Sequence, residues 1–191
     1  MFEEILTRIA RSLERHGLPY MVIGGQAVLL YGEPRLTRDI DITLGVNIDH
    51  ISSLLAAIQE IPLEPIPDDI RSFIGQTMVL PALDETTGIR VDFIFSFTPY
   101  ETEAIRRARK VIMLDQDVCF ASPEDVIIHK IFAGRPRDME DARIILLKNP
   151  DIDVEYTRKW LREFDASSDE GNFLAAFESM LSAVRKSWED R

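Results

Sequence analysis

The sequence predicts an α/β (α+β) fold: a mixed twisted sheet with flanking helices, followed by a C-terminal helical annex. Three observations carry this. An apolar run from Tyr20 to Ile23 breaks at Gly24-Gly25 and resumes as the helix-like Gln26-Ala27-Val28-Leu29-Leu30-Tyr31. Asp39-Ile40-Asp41-Ile42-Thr43-Leu44 alternates strictly, as a half-buried strand does. Beyond Ser122-Pro123 the patterns are helical to the end of the chain.

Taken in order, Phe2, Ile5, Leu6, Ile9 and Leu13 recur at helical spacing, and Gly17 with Pro19 supplies the stop, so residues 2–16 form an amphipathic helix. The strand at 20–23, the Gly-Gly turn and the helix to Tyr31 follow. Gly32, Pro34 and a polar stretch then lead into the strand at 39–44. A helix runs from about 48 to 61. Pro62, Pro65 and Pro67 predict an irregular connection to a short segment at 70–73. Residues 77–83 and 89–95 read as a hairpin, with Asp84-Glu85-Thr86-Thr87-Gly88 as turn residues and a glycine for positive φ.

Residues 99–109 read as helix, and 111–114 and 118–120 as short strands. Ser122-Pro123-Glu124-Asp125 is a helix start, with a capping serine and a proline in the first turn. Helices are expected over 123–133, 137–148, 154–164 and 170–188, separated by Gly134-Arg135-Pro136, Asn149-Pro150 and a polar linker from Asp165 to Asp169. The organisation is therefore a core over 1–121 and a helical region over 122–191 that completes a cleft.

Composition narrows the function classes. At 191 residues, 46% hydrophobic and 29% charged, the chain can bury a core of its own. A net charge of -11 argues against a surface that is one continuous nucleic-acid or anionic-membrane footprint, leaving room only for a local basic groove. Its single cysteine, Cys119, excludes an intramolecular disulfide, and with three scattered histidines it provides no zinc-ligand spacing. No stretch approaches the ~18 apolar residues of a membrane span, and Met1-Phe2-Glu3-Glu4 lacks the basic flank of a secretory signal. A soluble, cytoplasmic protein with no membrane partner is the expectation.

Chemistry concentrates in the acids. Residues two apart on a strand face the same side at a rise of ~6.6–7 Å, so Asp39 and Asp41 project together while Ile40 and Ile42 enter the core. Hard Mg2+ (or Mn2+) prefers oxygen ligands and keeps waters and substrate phosphates, so carboxylates on a rigid strand suit it. Alternating acids on a solvated strand face are common, and the pair alone does not specify a metal. Asp92 adds weight: among Val91, Phe93, Ile94 and Phe95, an unpaired charge would be costly. If its strand lies beside Asp39-Ile40-Asp41, three acids converge, and a bound cation relieves their mutual repulsion.

Gly24-Gly25, between strand and helix, lets phosphate approach the backbone where helix N–H groups and dipole are positive; the alternative is an ordinary tight turn. It is neither a dinucleotide fingerprint nor a P-loop.

Gly24-Gly25, thirteen intervening residues, Asp39-Ile-Asp41 and a later Asp92 in an apolar strand together resemble the nucleotidyltransferase superfamily of DNA polymerase beta-like fold. Val22-Ile-Gly-Gly-Gln-Ala-Val, Arg38-Asp-Ile-Asp-Ile, Ser122-Pro-Glu-Asp-Val-Ile-Ile-His-Lys and Arg135-Pro-Arg-Asp-Met-Glu-Asp141 look more narrowly like its minimal members, including the AbiEii-type toxin nucleotidyltransferases. The likeness covers roughly residues 20–142.

The resemblance implies a nucleotidyltransferase-type sheet and transfer of a nucleoside monophosphate from a nucleoside triphosphate to an RNA, protein or small-molecule acceptor. It also implies the toxin of a toxin-antitoxin pair, with a protein partner or a homodimer. Asp39, Asp41 and Asp92 are then the catalytic metal ligands, with Mg2+ or Mn2+ as cofactor and an NTP such as ATP as substrate. Gly24 and Gly25 hold the triphosphate. Lys130 helps neutralise phosphate charge, Asp138 belongs to the same motif, and Arg38, Arg135 and Arg137 are candidate nucleotide contacts. One departure is that many superfamily members carry a serine after the first glycine, where this chain has Gly25-Gln26. That points to the minimal, toxin-like subgroup.

Other features carry weaker signals. Arg106, Arg107, Arg109 and Lys110 form the densest basic cluster and read as a solvated helix face, the alternative being contact with an RNA acceptor. Arg35 and Arg38 stand at the entrance to the acidic strand, near incoming phosphates if the acids hold metal; a structural salt bridge is the alternative for Arg38. His16, His50 and His129 lack a nucleophile pattern, and Phe173, Phe177, Met180 and Leu181 read as core or dimer contact. Two competing readings share the acids: a catalytically silent nucleotide- and metal-binding module, and a phosphohydrolase.

Overall fold

The computed structural model describes residues 1–34, 36–168 and 171–189. The entrance role expected of Arg35, the end of the 165–169 linker and the start of the last predicted helix at 170 lie outside the described residues.

Among the described residues the fold is mixed α/β, with seven strands in one sheet. In chain order these are α1 (Phe2–Arg15), β1 (Tyr20–Ile23), α2 (Gly24–Tyr31), β2 (Asp39–Leu44), a 3-10 turn (Ile48–His50), α3 (Ile51–Gln59), β3 (Leu63–Pro65), α4 (Ile70–Thr77), β4 (Val79–Asp84) and β5 (Arg90–Phe95). There follow α5 (Pro99–Arg107), β6 (Arg109–Met113), β7 (Gln116–Phe120), α6 (Pro123–Ala133), α7 (Pro136–Lys148), α8 (Val154–Ser167) and α9 (Phe173–Glu189).

Contacts divide the chain into two compact units, Met1–Ala27 with Leu36–Ala121, and Val28–Arg35 with Ser122–Arg191. The first unit holds the whole sheet, in the order β3-β4-β5-β2-β1-β7-β6. β2 pairs in parallel with β5 and antiparallel with β1, and β1 continues in parallel to β7, so the sheet is mixed. Helices α1 and α3 pack on it and on each other, and Ser12 Oγ donates to the Ala57 carbonyl at 2.7 Å between them. Ile40, Ile42, Val91 and Phe93 are fully buried, which leaves the alternate residues of β2 and β5 to the opposite face.

The second unit packs α6 to α9 around Ile128, Ile131, Ile145, Leu146, Leu161, Phe177 and Leu181. Its first helix begins as the sequence requires: Ser122 Oγ accepts from the Asp125 amide at 3.2 Å and donates to the Asp125 carboxylate at 2.6 Å, and Tyr156 Oη donates to the other oxygen at 2.8 Å. Among the described residues no helix is long and apolar enough to cross a membrane.

Several local expectations change. The proline-rich connection contains a strand, β3, because a three-residue segment at the sheet edge tolerates Pro65. The segment at 70–73 is the start of a two-turn helix, capped by Asp69 Oδ1 accepting from the Ser72 amide at 3.0 Å. Met78 ends that helix in the left-handed region, φ 59°, and delays β4 to Val79. Helix α8 runs through the expected linker as far as Ser167. The β6–β7 hairpin closes on Leu114 and Asp115, φ 46° and 66°, left-handed without a glycine to announce it.

The β4–β5 turn is anchored by Asp84, whose side chain is 1% exposed. It accepts from Thr87 N and Oγ1 at 2.9 Å and from an Arg8 terminal nitrogen at 2.7 Å. Arg8→Ala leaves that carboxylate with its two neutral donors alone, and urea unfolding should register a loss of about 1.5–3 kcal/mol, the worth of a hydrogen bond to a charged group.

Candidate active site

The acidic face is assembled by strand register. In the parallel β2–β5 pair, Asp41 stands opposite Asp92 and Asp39 opposite Arg90. On its other side Asp41 is paired with Ile23, the last residue of β1. Asp39 is exposed, while Asp41 and Asp92 are half-buried. Sequence periodicity places Asp39 beside Asp41, and the fold brings Asp92 to them.

Directly after Ile23 the chain turns into α2 through Gly24, whose φ is +62°. A side chain there would collide with Asp41: a Cβ would overlap its Oδ2 and lie 2.8 Å from Cγ. The glycine thus serves two needs, a left-handed backbone and close approach of the helix start to a carboxylate. The expected Gly-Gly turn is the first turn of α2 itself, so the amides of Gly25 and Gln26 lie at a helix N-terminus. Gln26 Nε2 donates to Thr37 Oγ1 at 2.9 Å, tying that turn to the segment just before β2, where Arg38 is exposed.

Gly24→Ala must displace the Asp41 carboxylate or distort the turn. Activity should fall by about 10²-fold, as for a misplaced catalytic group, with a stability loss of about 1–2 kcal/mol for the left-handed alanine. Rates of the transfer that the resemblance implies, with thermal melts, measure both; a Gly24→Ala variant with wild-type activity shows the close approach to be incidental.

Arg90 joins the candidate site, and sequence reasoning misses it. Its Nε donates to Asp92 Oδ1 at 2.8 Å. The guanidinium is held above its ordinary pKa, first by that hydrogen bond, against the opposing effect of burial, and then by the charges of Asp92, Asp39 and Asp41. The signal was available: the alternation that joins Asp39 to Asp41 also joins Arg90 to Asp92.

Among the described residues, no three His, Cys, Asp or Glu side chains are grouped tightly enough to hold a metal ion as they stand. Asp92 is engaged by Arg90. The donor set still suits a hard divalent cation: carboxylates in register on neighbouring strands, with the missing Gly24 side chain making the space that the Asp41 carboxylate occupies.

Lys130, Arg135 and Arg137 belong to the second unit. Lys130, on α6, is buried and its Nζ lies 2.6 Å from Asp138 Oδ1 and 3.1 Å from Asp141 Oδ2, both on α7. Arg135 also donates to Asp138. Arg137 lines a cavity of about 180 Å³ with Val28, Glu33, Pro34, Glu140, Asp141 and Ile144. The basic cluster at 106–110 divides between α5 and β6, and Lys110 pairs with Asp117 on β7 at 3.3 Å. His16 and His50 make local contacts, to the Ser12 carbonyl at 2.9 Å and to Asn47 Oδ1 at 3.1 Å. Phe177 and Leu181 are core residues.

Comparison with known proteins adds three findings. A family model described as "nucleotidyltransferase of unknown function (DUF6036)" matches residues 2–186. Similar solved structures include the solution structure of the antibiotic-resistance factor ANT(2'')-Ia, with a TM-score of 0.56, 15% identity, and 99% of this chain and 97% of that one covered. An antigenic nucleotidyltransferase-like protein from Paracoccidioides brasiliensis matches with a TM-score of 0.55 and 17% identity, over 91% of this chain and 92% of that one. ANT(2'')-Ia in complex with adenylyl-2''-tobramycin matches with a TM-score of 0.55 and 16% identity, over 97% and 98%. At these identities the likeness is one of fold. No curated protein matches.

Proposed function

The chain belongs to the family of nucleotidyltransferases of unknown function (DUF6036), and from that membership we propose that it transfers a nucleoside monophosphate from an NTP to an acceptor at Asp39, Asp41 and Asp92. The observation that carries the site is the parallel register that sets Asp41 opposite Asp92, with Gly24 closing on the Asp41 carboxylate. Asp39, Asp41 and Asp92 are the residues that would hold Mg2+ or Mn2+. Divalent metal, when bound, neutralises triphosphate charge and polarises the oxygens that attack and leave.

The remaining work falls to the chain. The amides of Gly25 and Gln26, at a helix N-terminus, are aligned to donate to phosphate oxygens. Thr37 holds the Gln26 side chain in place, so the backbone is the phosphate-binding surface. Arg38, exposed just before Asp39, is the adjacent cation. The acceptor oxygen bonds to the α-phosphorus, the bond to pyrophosphate breaks, and the acceptor's proton passes to a carboxylate of the cluster. Lys130 and Arg135 act through Asp138, as positioning groups within their own unit.

The acceptor is the open variable. A net charge of -11 disfavours a long polyanion over a small molecule or a protein hydroxyl. The ANT(2'')-Ia complex contains an adenylylated tobramycin, which makes tobramycin the first small molecule to try. The chain is incubated with Mg2+ and each α-labelled NTP, plus tobramycin, tRNA or cell protein. Label transfer with stoichiometric pyrophosphate supports the proposal. The toxin extension requires that induced expression arrest growth and that Asp41→Asn abolish the arrest.

One observation favours a second reading, a nucleotide-binding module without turnover. Asp92 already has a cationic partner in Arg90. Saturable nucleotide binding with no pyrophosphate released under any acceptor would select that reading; phosphate release without an acceptor would instead indicate hydrolysis.

A further inference from the structure

Asp39, Asp41, Arg90 and Asp92 are the four corners of a two-by-two grid on adjacent parallel strands. Strand periodicity points all four side chains to one face. Three corners are acids. The fourth supplies a guanidinium that donates to Asp92 Oδ1, an oxygen a metal would need.

The two partners are unequally anchored. Arg90 is 54% exposed at its side chain and begins its strand, whereas Asp92 is 18% exposed and lies within it. An ion pair so open to solvent is weak, and a long side chain can leave it at small cost. A guanidinium does not lose its charge, so it can vacate Asp92 only by moving.

We propose that Arg90 is a built-in counter-ion that occupies Asp92 in the metal-free protein, gives way to the divalent cation, and then turns to the incoming triphosphate. The inference rests on the function proposed above, because it needs metal and nucleotide at the same acids. It makes their binding cooperative. Metal releases the arginine, the arginine draws phosphate, and by linkage each ligand tightens the other. It also lets the three acids share a face before any metal arrives, since the guanidinium offsets part of their repulsion.

The first test follows the Arg90 Nε–H resonance of the full chain by NMR as Mg2+ is added without nucleotide. The resonance is assigned by its loss in Arg90→Gln. It should move to the position of a solvated arginine in step with the shift of the Asp41 amide. A hydrogen-bonded resonance that persists when the Asp41 amide has stopped shifting overturns the proposal.

The second test is calorimetric. Arg90→Gln should bind Mn2+ about two- to fivefold more tightly than the wild type, the scale of one exposed ion pair. With Mn2+ saturating, it should bind ATP about tenfold more weakly, having lost one charge-assisted phosphate contact. Arg90→Lys, which keeps the charge and loses the fork, should fall between. If Asp92→Asn abolishes Mn2+ binding while Arg90→Gln leaves it unchanged, the role of Arg90 fails and the proposed function survives. If the wild type binds no Mn2+ at millimolar concentration, the proposed function fails with it.

Discussion

Asp41→Asn should lower nucleotidyl transfer by about 10²–10³-fold, the range for removing one preorganised electrostatic group from a transition state. Asp41 is the acid with the most structure around it. It is paired with Ile23 on one side and Asp92 on the other, and Gly24 lies against its carboxylate. Asparagine keeps the shape and replaces an anionic oxygen with an amide that presents N–H to a cation. The fold should not suffer. Ile40 and Ile42, which anchor β2, are untouched, and removing one of three like charges relieves repulsion. Pyrophosphate release and a thermal melt together decide the matter: lost activity with an unchanged or raised Tm is expected, and full activity removes Asp41 from the site.

Lys130→Met should reduce the stability of the chain by about 3–5 kcal/mol, the usual consequence of removing one partner from a buried ion pair. The side chains of Lys130, Asp138 and Asp141 are 8%, 4% and 9% exposed, so the ammonium links α6 to α7 out of contact with water. Methionine nearly matches the stem in volume, and the loss is therefore electrostatic: two buried carboxylates remain, with Arg135 on one of them. The double variant Lys130→Met, Asp138→Asn should recover part of the loss. Urea unfolding at neutral pH measures both, and a single-variant loss under about 1 kcal/mol would place this cluster among ordinary surface pairs.

The same cluster sets an acid dependence. Burial pushes the Asp138 carboxyl up, but hydrogen bonds from Arg135 and Lys130 outweigh it and hold the group below its ordinary value of 3.8. A carboxyl depressed in the folded state contributes stability above its unfolded pKa and loses it as pH falls through the lower folded value. In the wild type that contribution disappears only below pH 3.8. With Lys130 replaced, the folded value rises and acid unfolding begins at higher pH.

Asp39 and Asp41 are legible in the sequence because a period of two acts within one strand and needs no partner. The meeting of Asp41 with Asp92 is not. It depends on β5 pairing with β2 along the edge that its hairpin with β4 leaves open, a tertiary choice that no local pattern records. Arg90 was within reach of the same periodicity, but an arginine opening a strand reads as a solvated flank. β3 and the left-handed residues Met78, Leu114 and Asp115 are hidden for another reason. Edge position and turn closure override propensity there, and proline or the absence of glycine points the wrong way. The Lys130 motif was visible as spacing, while its pairing across two helices required the fold.

The parallel pairing of β2 with β5 also dictates when the site comes into being. The β4–β5 and β6–β7 hairpins join neighbours in the chain and can zip early, since short loops close at little entropic cost. β2 must wait for β5 across α3, β3, α4 and β4, and such distant pairings are the slow steps of folding. A nascent or half-refolded chain therefore owns its Asp-Ile-Asp strand without owning an active centre. The full set of acids is assembled only by a late long-range contact, so under the proposed function no early intermediate would turn over a nucleotide.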